Sequence, residues 1–70
     1  MVVSAAYDML LGMFVIRHNA VVTEDGHDAE WMQGKIVMGY QCRGNNCARI
    51  PIKMEHRIHT TLIVNQVLRP

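Results

Sequence analysis

The chain has 70 residues, which is the size of one domain, and half of them are apolar. This apolar content excludes wholesale disorder, so we expect a single small domain over residues 1–70. A domain this small buries only about 60% of the surface of its unfolded chain. We therefore expect a second copy, a partner, a metal ion or a disulfide to add stability.

The net charge of +1 conceals an uneven distribution. Residues 1–34 carry one arginine and five carboxylates, a net charge of −4, whereas residues 35–70 carry six cations and one carboxylate, a net charge of +5. The basic half could bind a polyanion, or the two halves could face each other within one chain or across a dimer. Nucleic-acid-binding domains are usually basic as a whole, so the pattern favours the second interpretation.

The segment from Ser4 to His18 is predicted to be a helix. Ser4 can cap its amino end, and apolar side chains recur behind it at steps of three and four residues. Gly12 in the middle, and the run of β-favouring residues after it, weaken this prediction. A strand from Met13 onward is therefore an open alternative.

An acidic connecting segment follows. Thr23–Gly26 has the composition of a turn. His27–Gln33 is predicted to be a short helix, because acidic residues lie near its start and Gly34 can end it in the left-handed conformation.

The second half of the chain is predicted to be β. Lys35–Cys42 and Cys47–Met54 flank four residues with strong turn chemistry, which predicts a hairpin. Ile58–Leu68 is rich in β-branched residues and is predicted to be a third strand, with a helix as the alternative. The predicted fold is therefore α+β, with the N-terminal helix packed on a three-stranded antiparallel meander. A mostly β fold is the alternative.

The two cysteines suggest the register of this hairpin. If Cys42 faces Cys47, then Tyr40 faces Arg49. Pro51 cannot donate a hydrogen bond to a neighbouring strand, so we expect its strand to lie at an edge of the sheet.

Four potential metal ligands lie in the second half, namely Cys42, Cys47, His56 and His59. Zinc prefers four nitrogen or sulfur ligands, but the two histidines are one residue closer than in common zinc motifs. Both could bind one ion only in a helical turn or an irregular loop. Three states of the cysteines stay open: ligands of one zinc ion, a disulfide, or free thiols. No cofactor is expected otherwise.

Two further sets of side chains are candidates for binding. Methionine suits adaptable binding surfaces as well as irregular cores. The four aromatic residues are too few for a platform that stacks nucleobases. The expected partner interface comprises Met9, Met13, Phe14, Trp31 and Met38. The residues that could contact a phosphate backbone are Arg43, Arg49, Lys53 and Arg57.

Catalysis has little support in the sequence. The single serine, Ser4, begins the predicted helix, and 70 residues leave little room for a substrate pocket. We therefore predict a non-enzymatic interaction module that binds and modulates another macromolecule. A protein partner is expected first, with a homodimer as one form, and a small regulator or inhibitor, including a phage-type one, fits this description. The alternatives are a nucleic-acid-binding protein that uses the basic half and a zinc-stabilised small domain.

The sequence also bears on localisation. Neither Lys nor Arg precedes the first apolar run, and Asp8 interrupts it, which is unlike a secretory signal. The uncharged stretch over residues 9–16 is far shorter than the roughly 18 residues that span a bilayer. We expect a soluble, cytoplasmic protein without membrane contact.

Overall fold

A computed structural model describes residues 1–69 of the chain. Strands predominate, and one α-helix follows them near the end of the described part. Within residues 1–69, no helix combines the length and the apolar character needed to cross a membrane. The strands are β1 (Val2–Val3), β2 (Ala6–Asp8), β3 (Met13–Ile16), β4 (Ala20–Val21), β5 (Trp31–Met32), β6 (Lys35–Ile36), β7 (Met38–Arg43) and β8 (Asn46–Pro51), and α1 covers Arg57–Leu68 after a 3₁₀ turn at Met54–His56.

Four strands form the main sheet, in the order β2-β3-β7-β8, and every neighbouring pair is antiparallel. β1 pairs with β4, and β5 pairs with β6, as two small separate ladders. α1 packs against β2, β3 and β6. The fold is therefore mostly β with one C-terminal helix. The predicted N-terminal helix on a three-stranded meander is wrong, and the mostly β alternative is correct.

The helix predicted from Ser4 to His18 is replaced by the hairpin of β2 and β3. The Asp8 carboxylate accepts hydrogen bonds from the backbone N–H groups of Leu10 and Leu11, at 2.9 and 3.2 Å. The N–H group of Gly12 then donates to the Asp8 carbonyl, and its φ of +66° suits glycine. These bonds close a turn, and the β-favouring residues after it form β3, as the alternative prediction had it.

The acidic connecting segment contains two turns. The Thr23–Gly26 turn is confirmed, since the N–H group of Gly26 donates to the Thr23 carbonyl at 3.0 Å. The short helix predicted for His27–Gln33 is wrong. Gln33 and Gly34 both have positive φ, at 54° and 72°, which is the geometry of a two-residue type I′ hairpin turn between β5 and β6.

The predicted hairpin is present as β7 and β8, with shorter strands and a tighter loop. Lys35 and Ile36 belong instead to β6, which pairs with β5, and β8 ends at Pro51 rather than Met54. β7 runs to Arg43 and β8 begins at Asn46, which leaves two loop residues rather than four. Gly44 occupies the first of these positions with a φ of +59°, as a type II′ turn requires.

The register of this hairpin is confirmed. Cys42 faces Cys47, and Tyr40 faces Arg49. β8 lies at an edge of the main sheet, as Pro51 predicted.

The strand predicted for Ile58–Leu68 is wrong, and the helical alternative is correct. Thr60 and Val64, one turn apart, are fully buried. The Thr61 hydroxyl accepts a hydrogen bond from the N–H group of Ile36 at 2.8 Å and so attaches the helix to β6. This packing outweighs the modest helix propensity of β-branched residues.

The core lies where α1 meets the strands. Its members are small or β-branched for the most part, which lets the helix approach the strands closely. They are Val3, Ala6, Val15, Ile16, Ala20, Val22, Ala29, Ile36, Ile52 and Val64.

Candidate functional site

The predicted zinc ligands are not brought together. Cys42 and Cys47 form a disulfide between facing positions of β7 and β8. His56 and His59 lie at the start of α1, where His59 Nε2 is 3.2 Å from an Asp8 carboxylate oxygen. Among residues 1–69, His, Cys, Asp and Glu side chains nowhere form a group of three or more that could hold a metal ion.

The contact between Asp8 and His59 joins the β2–β3 turn to α1. Asp8 is fully buried, and its second carboxylate oxygen lies 3.3 Å from the Thr60 hydroxyl, which donates to it. His59 is half-exposed. Buried carboxylates need hydrogen-bond partners, and Asp8 finds them in both elements. The sequence signal for this role was the single acidic residue within an apolar run, which was used only to argue against a secretory signal.

α1 has apolar side chains on two opposite sides. One side carries Val64 into the core, with the buried Thr60 one turn before it. On the other side Ile58 and Leu62 are 61% and 60% exposed, and Met54, one turn earlier, is 78% exposed. The solvent-facing side of α1 and of the residues that flank it is called the α1 outer face. It comprises residues 54 and 55 of the 3₁₀ turn, residues 58, 62, 65 and 66 of the helix, and residue 69 just after it.

The five residues of the predicted partner interface are distributed over the molecule. Met13 is buried, and Phe14, Trp31 and Met38 are half-buried. Met9 is 86% exposed at the tip of the β2–β3 turn. Since Asp8 holds this turn against the start of α1, Met9 and its exposed neighbour Leu10 lie on the side of the molecule where α1 begins.

A row of aromatic side chains crosses the main sheet. Tyr7 faces Phe14, Phe14 faces Tyr40, and Tyr40 faces Arg49 across all four strands. The rings of Tyr7 and Phe14 meet edge to face with centroids 4.9 Å apart. Side chains alternate along a strand, and Val15 enters the core, so this row lies on the opposite face, the sheet outer face. Sequence reasoning missed the row because it placed the first two rings on a helix.

Tyr40 is buried beneath polar groups at this face. Its hydroxyl donates to the Asp28 backbone carbonyl at 2.5 Å, and the Arg17 guanidinium lies 6.0 Å from its ring centre. Burial raises the pKa of the Tyr40 phenol above its ordinary value. Arg17 also bonds the Asp28 carboxylate at 2.7 Å, and this hydrogen bond lowers the pKa of Asp28.

The four predicted polyanion contacts extend from the hairpin tip to α1. Arg43 ends β7 beside an open cavity of about 700 Å³, which Tyr7 and Phe14 also line. Arg49 forms an ion pair with Glu30 at 2.5 Å, so here a basic residue of the second half meets a carboxylate of the first. Lys53 is exposed. Arg57 is half-buried, and its Nε donates to the Ile52 carbonyl at 3.1 Å.

Comparisons with protein-family models, curated proteins and solved structures give no match to this chain. Its function must therefore be inferred from its own surfaces.

Proposed function

We propose that this chain is a non-enzymatic protein-interaction module that binds its partner through the α1 outer face. The observation that carries the proposal is the exposure of Ile58 and Leu62 directly opposite the buried side of α1, next to the exposed Met54 of the 3₁₀ turn before it. Surface helices are usually apolar on one side only, whereas a helix that is apolar on two sides is typically covered on both. A partner would supply the second cover.

The energy available on this surface is moderate. Burying the exposed parts of Met54, Ile58 and Leu62 would contribute on the order of 4 kcal/mol. Micromolar binding requires about 8 kcal/mol, and association has its own entropic cost. The exposed apolar pair Met9 and Leu10, and polar contacts around the helix, would supply the remainder. These magnitudes fit a regulator that binds reversibly.

Site-specific photo-crosslinking tests the proposal, because it captures a partner that has not been identified. A benzophenone side chain replaces Leu62 in cells that contain the chain, and a matched variant carries it at Lys35, which is exposed on β6. We expect a discrete protein adduct from position 62, either with another copy or with a different protein, and none from position 35. If adducts at the two positions are equal or absent, the proposal is wrong.

A second candidate function is the binding of single-stranded nucleic acid to the sheet outer face. The row that ends in Arg49 favours it, because rings on a sheet stack nucleobases and arginine contacts phosphate. Tyr7 is 47% exposed and Phe14 is half-buried. This candidate ranks second because Arg49 is already paired with Glu30 and Tyr40 is buried.

Fluorescence anisotropy with a labelled single-stranded oligonucleotide tests the second candidate. Binding should weaken steeply with added salt, since counterions are released from the phosphates. Tyr7→Ala should weaken binding by about tenfold through lost stacking, and Lys35→Ala serves as the control. Affinity that is insensitive to salt, or equal in the two variants, would exclude this function.

A further inference from the structure

We infer that the partner on the α1 outer face is a second copy of this chain, with the two α1 helices antiparallel across a two-fold axis at Leu62. This inference rests on the proposed function and adds the identity of the partner. A two-fold interface brings the same surface of both copies together, so that surface must be complementary to itself. The α1 outer face meets this condition in its spacing and its charge.

The spacing is that of a helix-pairing seam. Exposed residues follow each other at alternating steps of three and four, from the 3₁₀ turn through α1 to the residue that follows the helix. The apolar pair Ile58 and Leu62 lies towards its middle, and the two charged residues lie at its ends. In chain order the seam consists of Glu55, Ile58, Leu62, Asn65 and Arg69.

The charges select the antiparallel orientation. With the axis at Leu62, Glu55 lies opposite Arg69 of the partner subunit, and the same pair recurs at the other end. Ile58 then faces the boundary between Asn65 and Gln66 of the second helix, and Leu62 faces its own copy. A parallel pair would place glutamate beside glutamate and arginine beside arginine, which is repulsive. The charged ends therefore select this register, in which Leu62 meets its own copy and Ile58 packs against polar side chains of the second helix.

The Met9 and Leu10 side chains would add apolar area to the contact between the two copies. The contact between Asp8 and His59 holds their turn beside the start of α1. In an antiparallel pair, the start of one helix lies near the end of the other. The exposed turn of each copy would thus flank the carboxyl end of the second helix and widen the covered apolar area beyond one helix pair.

Charge reversal tests the register by sedimentation equilibrium. Glu55→Arg and Arg69→Glu should each raise the dimer dissociation constant by about tenfold, because each creates two like-charged contacts. The double variant should return to within about threefold of the unchanged chain. Lys35→Glu, a charge reversal at an exposed position on β6, is the matched control and should have little effect.

A symmetric crosslink tests the axis itself. In Leu62→Cys, the two new thiols would face each other, so mild oxidation should give a covalent dimer in nearly all of the protein. Lys35→Cys should give almost none under the same conditions. Leu62 and Lys35 are both exposed, so neither change should disturb the fold, which circular dichroism verifies.

The outcomes separate this inference from the proposed function. The inference that the partner is a second copy is wrong if the chain stays monomeric at about 200 µM. It is also wrong if the dimer dissociation constant is unchanged by both charge reversals. If position 62 still crosslinks to a different protein in cells, the proposed function stands without this inference. A monomer with no specific adduct at position 62 overturns both.

Discussion

Asp8 holds the β2–β3 turn against the start of α1. Its buried carboxylate accepts hydrogen bonds from the Leu10 and Leu11 N–H groups and from the Thr60 hydroxyl. Asp8→Ala leaves these donors without an acceptor and should lower the free energy of unfolding by about 3 kcal/mol. Asp8→Asn keeps one oxygen and should cost less. Urea denaturation measures both, and a loss below about 0.5 kcal/mol for the alanine variant would contradict this role.

Asp28 gives the chain a defined response to acid. The hydrogen bond from Arg17 lowers its pKa below the ordinary 3.8. The stabilisation is therefore complete above about pH 3.8 and is lost as the pH falls through the lower value in the folded chain. The effect should be small, since the pair is at the surface.

The urea midpoint between pH 6 and pH 2 measures this contribution. The midpoint of the unchanged chain should fall further than that of Asp28→Asn over the acid part of this range. Arg17→Gln removes the ion pair but leaves the hydrogen bond from the Val21 N–H group, so its midpoint should fall by an amount between those of the other two proteins. If the urea midpoint falls by the same amount with pH in all three proteins, the ion pair contributes nothing to acid stability.

At the scale of elements, the Thr61 side chain attaches α1 to β6. The Thr61 hydroxyl accepts from the N–H group of Ile36, a fully buried residue, and donates to the Arg57 carbonyl at 2.7 Å. Thr61→Val keeps the shape but leaves the N–H group of Ile36 without an acceptor, so it should cost about 2 kcal/mol. Thr61→Ser keeps the hydroxyl and should cost less than half as much. Thermal denaturation compares them, and equal losses would rule out the hydrogen bond as the cause.

The disulfide secures the hairpin of β7 and β8 and closes only the short loop over residues 42–47. Its reduction should lower the free energy of unfolding by about 2 kcal/mol or less, because short loops lose little entropy on closure. Amide exchange should rise at the hairpin tip, whereas α1 should keep its protection relative to the rest of the chain. Global loss of protection on reduction would show that the bridge stabilises more than its own hairpin.

Residue propensity and pattern predicted some secondary-structure elements correctly and others wrongly. The β7–β8 hairpin was predictable because glycine and asparagine between two β-favouring runs specify a turn, and the facing cysteines fixed the register. The N-terminal segment was not, since its apolar residues fit a helical stripe and an alternating strand equally well near Gly12. The Ile58–Leu68 segment was missed for the opposite reason, because helix packing outweighed β-branched propensity.

The candidate surface was only partly predictable at the scale of the whole molecule. Composition indicated that apolar side chains would remain exposed, but their location depends on which side of α1 the strands cover. Among the residues expected at the interface, Met9 is exposed whereas Met13 is buried. Once Thr60 and Val64 enter the core, Ile58 and Leu62 must face outward, and no sequence pattern fixes that choice in advance.

At the scale of the whole molecule, the acidic and basic halves of the chain contact each other. Arg49 of the basic half bonds Glu30 of the acidic half within one chain. The proposed dimer would add a second such meeting, between Glu55 and Arg69 of the partner subunit. Association would then depend on salt only moderately, since apolar side chains form the centre of the contact.

Hydroxyl-radical footprinting of the purified chain tests most directly whether the α1 outer face is covered. At a concentration where the chain is assembled, Ile58 and Met54 should be labelled several-fold more slowly than in Leu62→Lys. Met32, which is 58% exposed on β5, should be labelled equally in both proteins. If Ile58 and Met54 react at the same rate in both proteins, as fully accessible side chains would, the claim that a second copy covers this face is contradicted.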